Sequence, residues 1–146
     1  MREIKFRAFD KKRKCMFQVT EINFRANGNI YSVSPDQGGT WLLIDEVELL
    51  QYTGLKDKNG REVYEGDLLK KVLTIDVTAL GEKSAEIETH EIIGYVKFEK
   101  GHFGIYFIKH TSHKEAENSF YPFLNEKEYE IIGNIFENSE LLEKKQ

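Results

Sequence analysis

One cysteine, two prolines and no long apolar run are what this 146-residue chain has least of, and each shortage excludes something. The lone Cys15 cannot form an internal disulfide, so the fold must be held by burial and hydrogen bonds, as suits a reducing compartment. With only Pro35 and Pro122, no Pro-rich linker divides the chain. No stretch approaches the roughly 20 apolar residues that cross a bilayer, and the polar N-terminus is unlike a secretory signal. A cytoplasmic protein with no membrane partner is therefore expected. Gly38-Gly39 lacks the Lys and Ser/Thr that would follow in a phosphate-binding loop. What remains is 40% apolar and 12% aromatic, enough to bury the core of one domain, or of a small barrel with a subdomain.

The net charge of −4 weighs against a dedicated nucleic-acid coat, but the charge is unevenly spread. Residues 1–25 hold eight basic and three acidic residues, whereas residues 115–146 hold three basic and eight acidic. Opposite ends of this kind form either two solvated faces or a contact within or between protomers. Exposed pairs contribute little, so apolar burial would have to supply most of any assembly.

Period-two alternation dominates the chain. Residues 2–9 set Ile4, Phe6 and Ala8 against Lys5, Arg7 and Phe9, which predicts a strand with one buried face. A polar turn over 10–14 leads to a second strand over 15–19, in which Cys15 is expected to be buried. Asn27-Gly28 marks a hairpin between strands at 21–25 and 29–33. Residues 1–40 thus read as an N-terminal antiparallel meander, closed by the loop Ser34–Thr40. The remainder, 41–146, reads as a small SH3-like β-barrel domain built from five or six short strands between 61 and 136. Within it, 74–91 reads equally as a projecting hairpin arm or as a disordered loop, 92–98 and 103–108 are expected to form a clear hairpin, and Pro122 to keep its segment at a sheet edge. The strand over 129–136, apolar on both faces, is expected to be central. Asn138-Ser139 should cap a short C-terminal helix. The fold class is mainly β.

The densest run of turn signals is QYTGLKDKNGREVYEGDLLK, residues 51–70. Asn59-Gly60 supplies a tight reversal, and Gly66-Asp67 a second break before Leu68-Leu69 begins a strand. This block, with REIKFRAFDKKRKCMF, GYVKFEKGHFGIYF and YEIIGNIFENSELL, resembles the YopX family of phage and prophage proteins in residues and in order. Residues 74–90 correspond to no block of that family. The resemblance implies a phage origin, a β-rich fold with a small barrel and a cytoplasmic location. It implies no activity, cofactor or metal.

Few residues suggest chemistry. Asp57, Glu65 and Asp67 are the carboxylates that a pocket could turn to acid–base work, although carboxylates in turns mostly accept backbone N–H groups. His110 and His113 have the spacing of a metal pair but lie in a loop without further ligands. Asp57 and Asn59 begin a calcium-loop pattern that lacks its closing Glu. Cys15 has basic neighbours and no histidine partner. Lys5, Arg7, Lys11, Lys12, Arg13 and Lys14, interleaved with Phe6, Phe9 and Phe17, mix cations and stacking surfaces as single-strand binders do. The expected function is therefore that of a non-enzymatic phage accessory protein acting by binding, self-assembling as a homo-oligomer or meeting a phage or host protein. The alternative is a nucleic-acid binder that uses those N-terminal cations.

Overall fold

In the computed structural model, which describes residues 2–35, 40–76, 87–111, 113–122 and 126–143, the first strand is buried on both sides. β1 (Phe6–Asp10) pairs antiparallel with β2 (Cys15–Val19) and with β6 (Val47–Lys56), and β6 pairs with β7 (Glu62–Tyr64), giving the order β2-β1-β6-β7. Ala8, fully buried, faces a small core with Val33 and Val47, against which Phe17, Ile22, Leu42 and Leu49 pack. The opposite face of β1 carries Arg7 and Phe9, and Phe9 stacks on Phe136 with ring centroids 5.3 Å apart. The expectation of one buried face is corrected here: alternation reveals two faces, but not that a second layer covers both.

A three-stranded sheet of β3 (Glu21–Phe24), β4 (Ile30–Ser34) and β5 (Leu42–Leu43) closes the N-terminal core. The Asn27-Gly28 turn joins β3 to β4, with Gly28 at φ +89° and Asn27 Oδ1 accepting the Asn29 N–H (2.9 Å). Two pairings, β1 with β6 and β4 with β5, cross residue 40. A boundary at that position divides both sheets, because the loop composition that suggested it lies inside a sheet connection.

The second core belongs to a curled antiparallel sheet, half of a barrel, in the order β11-β10-β9-β8-β12. Its strands are β8 (Asp67–Asp76), β9 (Ile87–Glu99), β10 (His102–His110), β11 (Phe120–Pro122) and β12 (Glu130–Asn134). Leu69, Ile92, Val96, Ile105 and Ile131 line the core with Val63 and Tyr129. β9 and β10 form the expected hairpin, turned at Lys100-Gly101, and Pro122 sits on an edge strand. β8 and β9 stay paired out to Asp76 and Ile87, the base of the expected arm; its tip, 77–86, lies outside the described residues.

Three expectations are corrected. β12 is an edge strand, not a central one. Its apolar character arises because Ile131 packs into the core while the turn over 57–61 binds its backbone. Cys15 is exposed, since it opens edge strand β2 directly after a turn in which Lys14 adopts φ +58°. Asn138 does not cap the helix α1 (Glu140–Glu143) with its side chain; Asn138 Oδ1 instead accepts the Asn134 N–H (3.1 Å).

Candidate functional site

The turn-rich block 51–70 joins the two cores through two aspartates. Asp57 Oδ1 accepts the N–H groups of Asn59 and Arg61 (2.9 Å each), which closes the turn locally. Its Oδ2 accepts the N–H of Ile131 (3.0 Å), 74 positions away, and Lys58 N–H donates to Tyr129 O (2.9 Å). Burial alone would push the Asp57 carboxyl up. The three N–H donors outweigh it and hold the group below the usual carboxylate range.

Asp67 binds the other way, to β1. Its Oδ2 accepts the Tyr64 N–H (2.8 Å), and its Oδ1 accepts Arg7 Nη2. The Arg7 guanidinium lies 4.8 Å from the centroid of the Tyr64 ring, which fixes its plane. Burial pushes the Asp67 carboxyl upward, opposed by the Arg7 charge and the Tyr64 N–H. The pair is a structural joint between layers, and Arg7 Nε is buried with no hydrogen-bond partner among the described residues.

Between these aspartates, Gly66 takes φ +84°. Its N–H donates to Val96 O (2.8 Å) and its O accepts the Ile135 N–H (2.9 Å), so one residue ties the corner to β9 and to the segment after β12. A Cβ here would stand 2.8 Å from Phe136 Cε2. We expect Gly66→Val to lower stability by about 2 kcal/mol or more, combining backbone strain with the clash. Lys58→Ala removes only an exposed pair with Glu130 (3.6 Å) and should cost under about 0.5 kcal/mol. Equal urea midpoints for the two variants would show that the corner tolerates any residue.

The six N-terminal cations part company. Arg7 is only 17% exposed and committed to Asp67. Lys5 is held between Glu3 (2.7 Å) and Glu62 (2.6 Å), with its ammonium 5.4 Å from the Tyr52 ring centroid. Lys11, Lys12, Arg13 and Lys14 form the exposed β1–β2 turn. Asp10 Oδ1 shapes that turn by accepting the N–H groups of Lys12 (2.9 Å) and Arg13 (3.0 Å). Two of the three aromatics expected among these cations face inward: Phe9 is buried and Phe17 packs on the core, while Phe6 is half-buried.

Other rings take their place. Trp41, 54% exposed, lies 6.0 Å from Tyr31, 37% exposed, and the Arg25 guanidinium sits 4.8 Å from the Tyr31 ring centroid. Trp41 and Thr40 line a hollow of about 340 Å3 together with Lys11, Lys12 and Arg13. Asp45 and Glu46 also border it. The Glu46 carboxylate is engaged locally, accepting the Leu43 N–H (3.1 Å). A cation, two neighbouring rings tilted by 39° and a basic turn thus share one surface. Sequence reading missed it because Arg25, Tyr31 and Trp41 are brought together only by the β3-β4-β5 sheet; the one signal was a tryptophan beside a loop.

His110 and His113 do meet, with ring centroids 5.1 Å apart. The His113 N–H donates to His110 Nδ1 (3.0 Å), so that lone pair holds the turn. Burial, then the neighbouring His113, lowers the His110 pKa. Among the described residues, no group of three His, Cys, Asp or Glu side chains could hold a metal ion, and no helix is long and apolar enough to cross a membrane.

A family model described as YopX protein matches residues 5–143. The solved structure described as protein EF1440 from Enterococcus faecalis is similar to this chain with a TM-score of 0.62 and 26% identity, over 97% of this chain and 99% of that one. No curated protein matches.

Proposed function

The chain belongs to the YopX protein family, and on that premise we propose that it is a non-enzymatic, cytoplasmic accessory protein of phage or prophage origin that acts by binding. The observation that carries this reading is the surface formed by Arg25, Tyr31, Trp41 and the Lys11–Lys14 turn. Two carboxylates that could have served catalysis, Asp57 and Asp67, spend their oxygens on backbone N–H groups and on Arg7. The occupant that suits the surface is single-stranded nucleic acid. Its bases would stack on Trp41 and Tyr31, and its phosphates would meet Lys12, Arg13 and Arg25. The overall charge of −4 makes such binding weak, and contacts between the phosphates and these cations make it salt-dependent.

We expect a fluorescent oligothymidylate to bind at low salt. Trp41→Ala should weaken it by about tenfold, in line with about 1–3 kcal/mol per stacked base. Replacing Lys11, Lys12, Arg13 and Lys14 by Glu should abolish binding. No binding of single- or double-stranded probes at low salt defeats the nucleic-acid reading.

Self-assembly is the second reading, and one observation favours it. Among the described residues, the ion pairs of Lys5, Arg7, Lys11 and Arg13 run to Glu3, Glu62, Asp67, Glu48 and Asp10, none of them in the acidic C-terminal stretch. The two ends are therefore not spent on each other within a protomer; Glu128 and Glu130 pair with Lys71 and Lys58, so a contact between protomers would draw on cations such as Lys12 and Lys14. Light scattering on the same samples decides it: a monomeric mass at low salt discards assembly.

A further inference from the structure

We propose that the hollow between the 64–67 corner and β9 binds an organic cation, an ammonium-bearing group paired with Glu65 and faced by the rings of Phe98, Phe136 and Tyr95. This site is separate from the cation–aromatic surface described above, and nothing in the proposed function requires it. The hollow measures about 500 Å3, and Leu50 and Ile135 complete its apolar wall. Phe98 is 51% exposed although it sits beside Phe103, its ring in edge-to-face contact at 5.0 Å. Glu65 is half-buried and, among the described residues, has no Lys, Arg or His within ion-pair distance. Burial raises its carboxyl, opposed only by a backbone hydrogen bond from Gln51.

The chemistry is complementary in a specific way. A half-buried carboxylate without a counter-ion is destabilised in its charged form, and a cation beside it removes that cost. Aromatic faces attract ammonium groups through the ring quadrupole, most strongly where water is partly excluded. Lys97 borders the hollow but does not fill this role, since its ammonium is paired with Glu99 (3.1 Å) and lies 5.6 Å from the Tyr106 ring centroid. An anion would meet the Glu65 charge and is disfavoured. A neutral apolar group would leave the carboxylate unpaired.

The test is an NMR titration of the full chain with choline and with its uncharged carbon analogue, 3,3-dimethylbutan-1-ol. Choline should shift the amides of Glu65, Gly66 and residues 95–98, and the neutral analogue should bind about tenfold more weakly. Glu65→Gln, and separately Phe98→Ala on a half-exposed side chain, should each weaken choline by a similar factor. A third arm uses Nα-acetyl-lysine amide. Tighter binding than choline assigns the cation to a partner's lysine side chain, and weaker binding assigns it to a free small ammonium. Equal binding of choline and its neutral analogue, or no amide shifts at millimolar choline, overturns the proposal. So does a set of the same shifts produced by raising the protein concentration alone, which would show a second copy filling the hollow.

Discussion

Asp57→Ala should lower the stability of the protein by about 3 kcal/mol or more, among the largest losses available to a single loop substitution. Three backbone N–H groups, from Asn59, Arg61 and Ile131, donate to this one carboxylate. A buried donor left without a partner costs about 1–3 kcal/mol. The Asn59 and Arg61 groups lie in a turn that water can reach, so the Ile131 N–H at the start of β12 carries most of the loss. Asp57→Asn keeps one acceptor oxygen for the turn but presents an NH2 group where Ile131 needs an acceptor, so it should cost most of what Asp57→Ala does. The pH dependence gives an independent check. Because the folded state holds the Asp57 carboxyl below its ordinary 3.8, the stabilisation is fully present above that value and is lost as pH falls through the lower folded value. Urea midpoints measured from neutral pH into the acid limb should converge for wild type and Asp57→Asn. Midpoints that stay parallel throughout would mean that the N–H donors do not depend on the charge.

The second large effect is expected at the Arg7–Asp67 joint. Arg7→Met should cost about 3–5 kcal/mol, because it leaves a buried carboxylate with only the Tyr64 N–H. Asp67→Asn alone should also be costly, since the Arg7 guanidinium then lies buried against Tyr64 without its counter-charge. The double variant Arg7→Met/Asp67→Asn should be clearly more stable than the sum of the two losses. The asparagine side chain can still accept the Tyr64 N–H, and the methionine removes the Arg7 Nε that has no partner among the described residues. A coupling of about 2 kcal/mol or more in the double-mutant cycle is the expected outcome. Additive losses would show that the two side chains contribute separately and that the joint is not a unit. Either single variant should also loosen the contact between Phe9 and Phe136, which lies on the same face of β1 as Arg7.

Local pattern in the sequence determined most of the elements. Alternation placed β1, β2, β9 and β10, and Asn27-Gly28, Asn59-Gly60 and Gly66 marked turns that the backbone does take, with φ of +89°, +80° and +84° at the three glycines. These features are local: a side chain's preference for a pleated face or a positive φ acts within a few residues and needs no distant partner. The mainly β class follows from them.

Only the tertiary structure decided what each face meets. Arg7 read as a surface cation because its neighbours in the chain are cations. It became a buried joint because Asp67, 60 positions away, comes within reach when β1 lies beside β6. Phe9 turned inward for the same reason. β12 reads as central because it is apolar on both sides, but it ends a sheet and is covered by the turn at Asp57 instead of by another strand. The cation–aromatic surface exists only because strand pairing carries Arg25, Tyr31 and Trp41 to one place beside the Lys11–Lys14 turn. Hydrogen bonds between strands set these meetings, and their register depends on the whole sheet, which no window of residues contains.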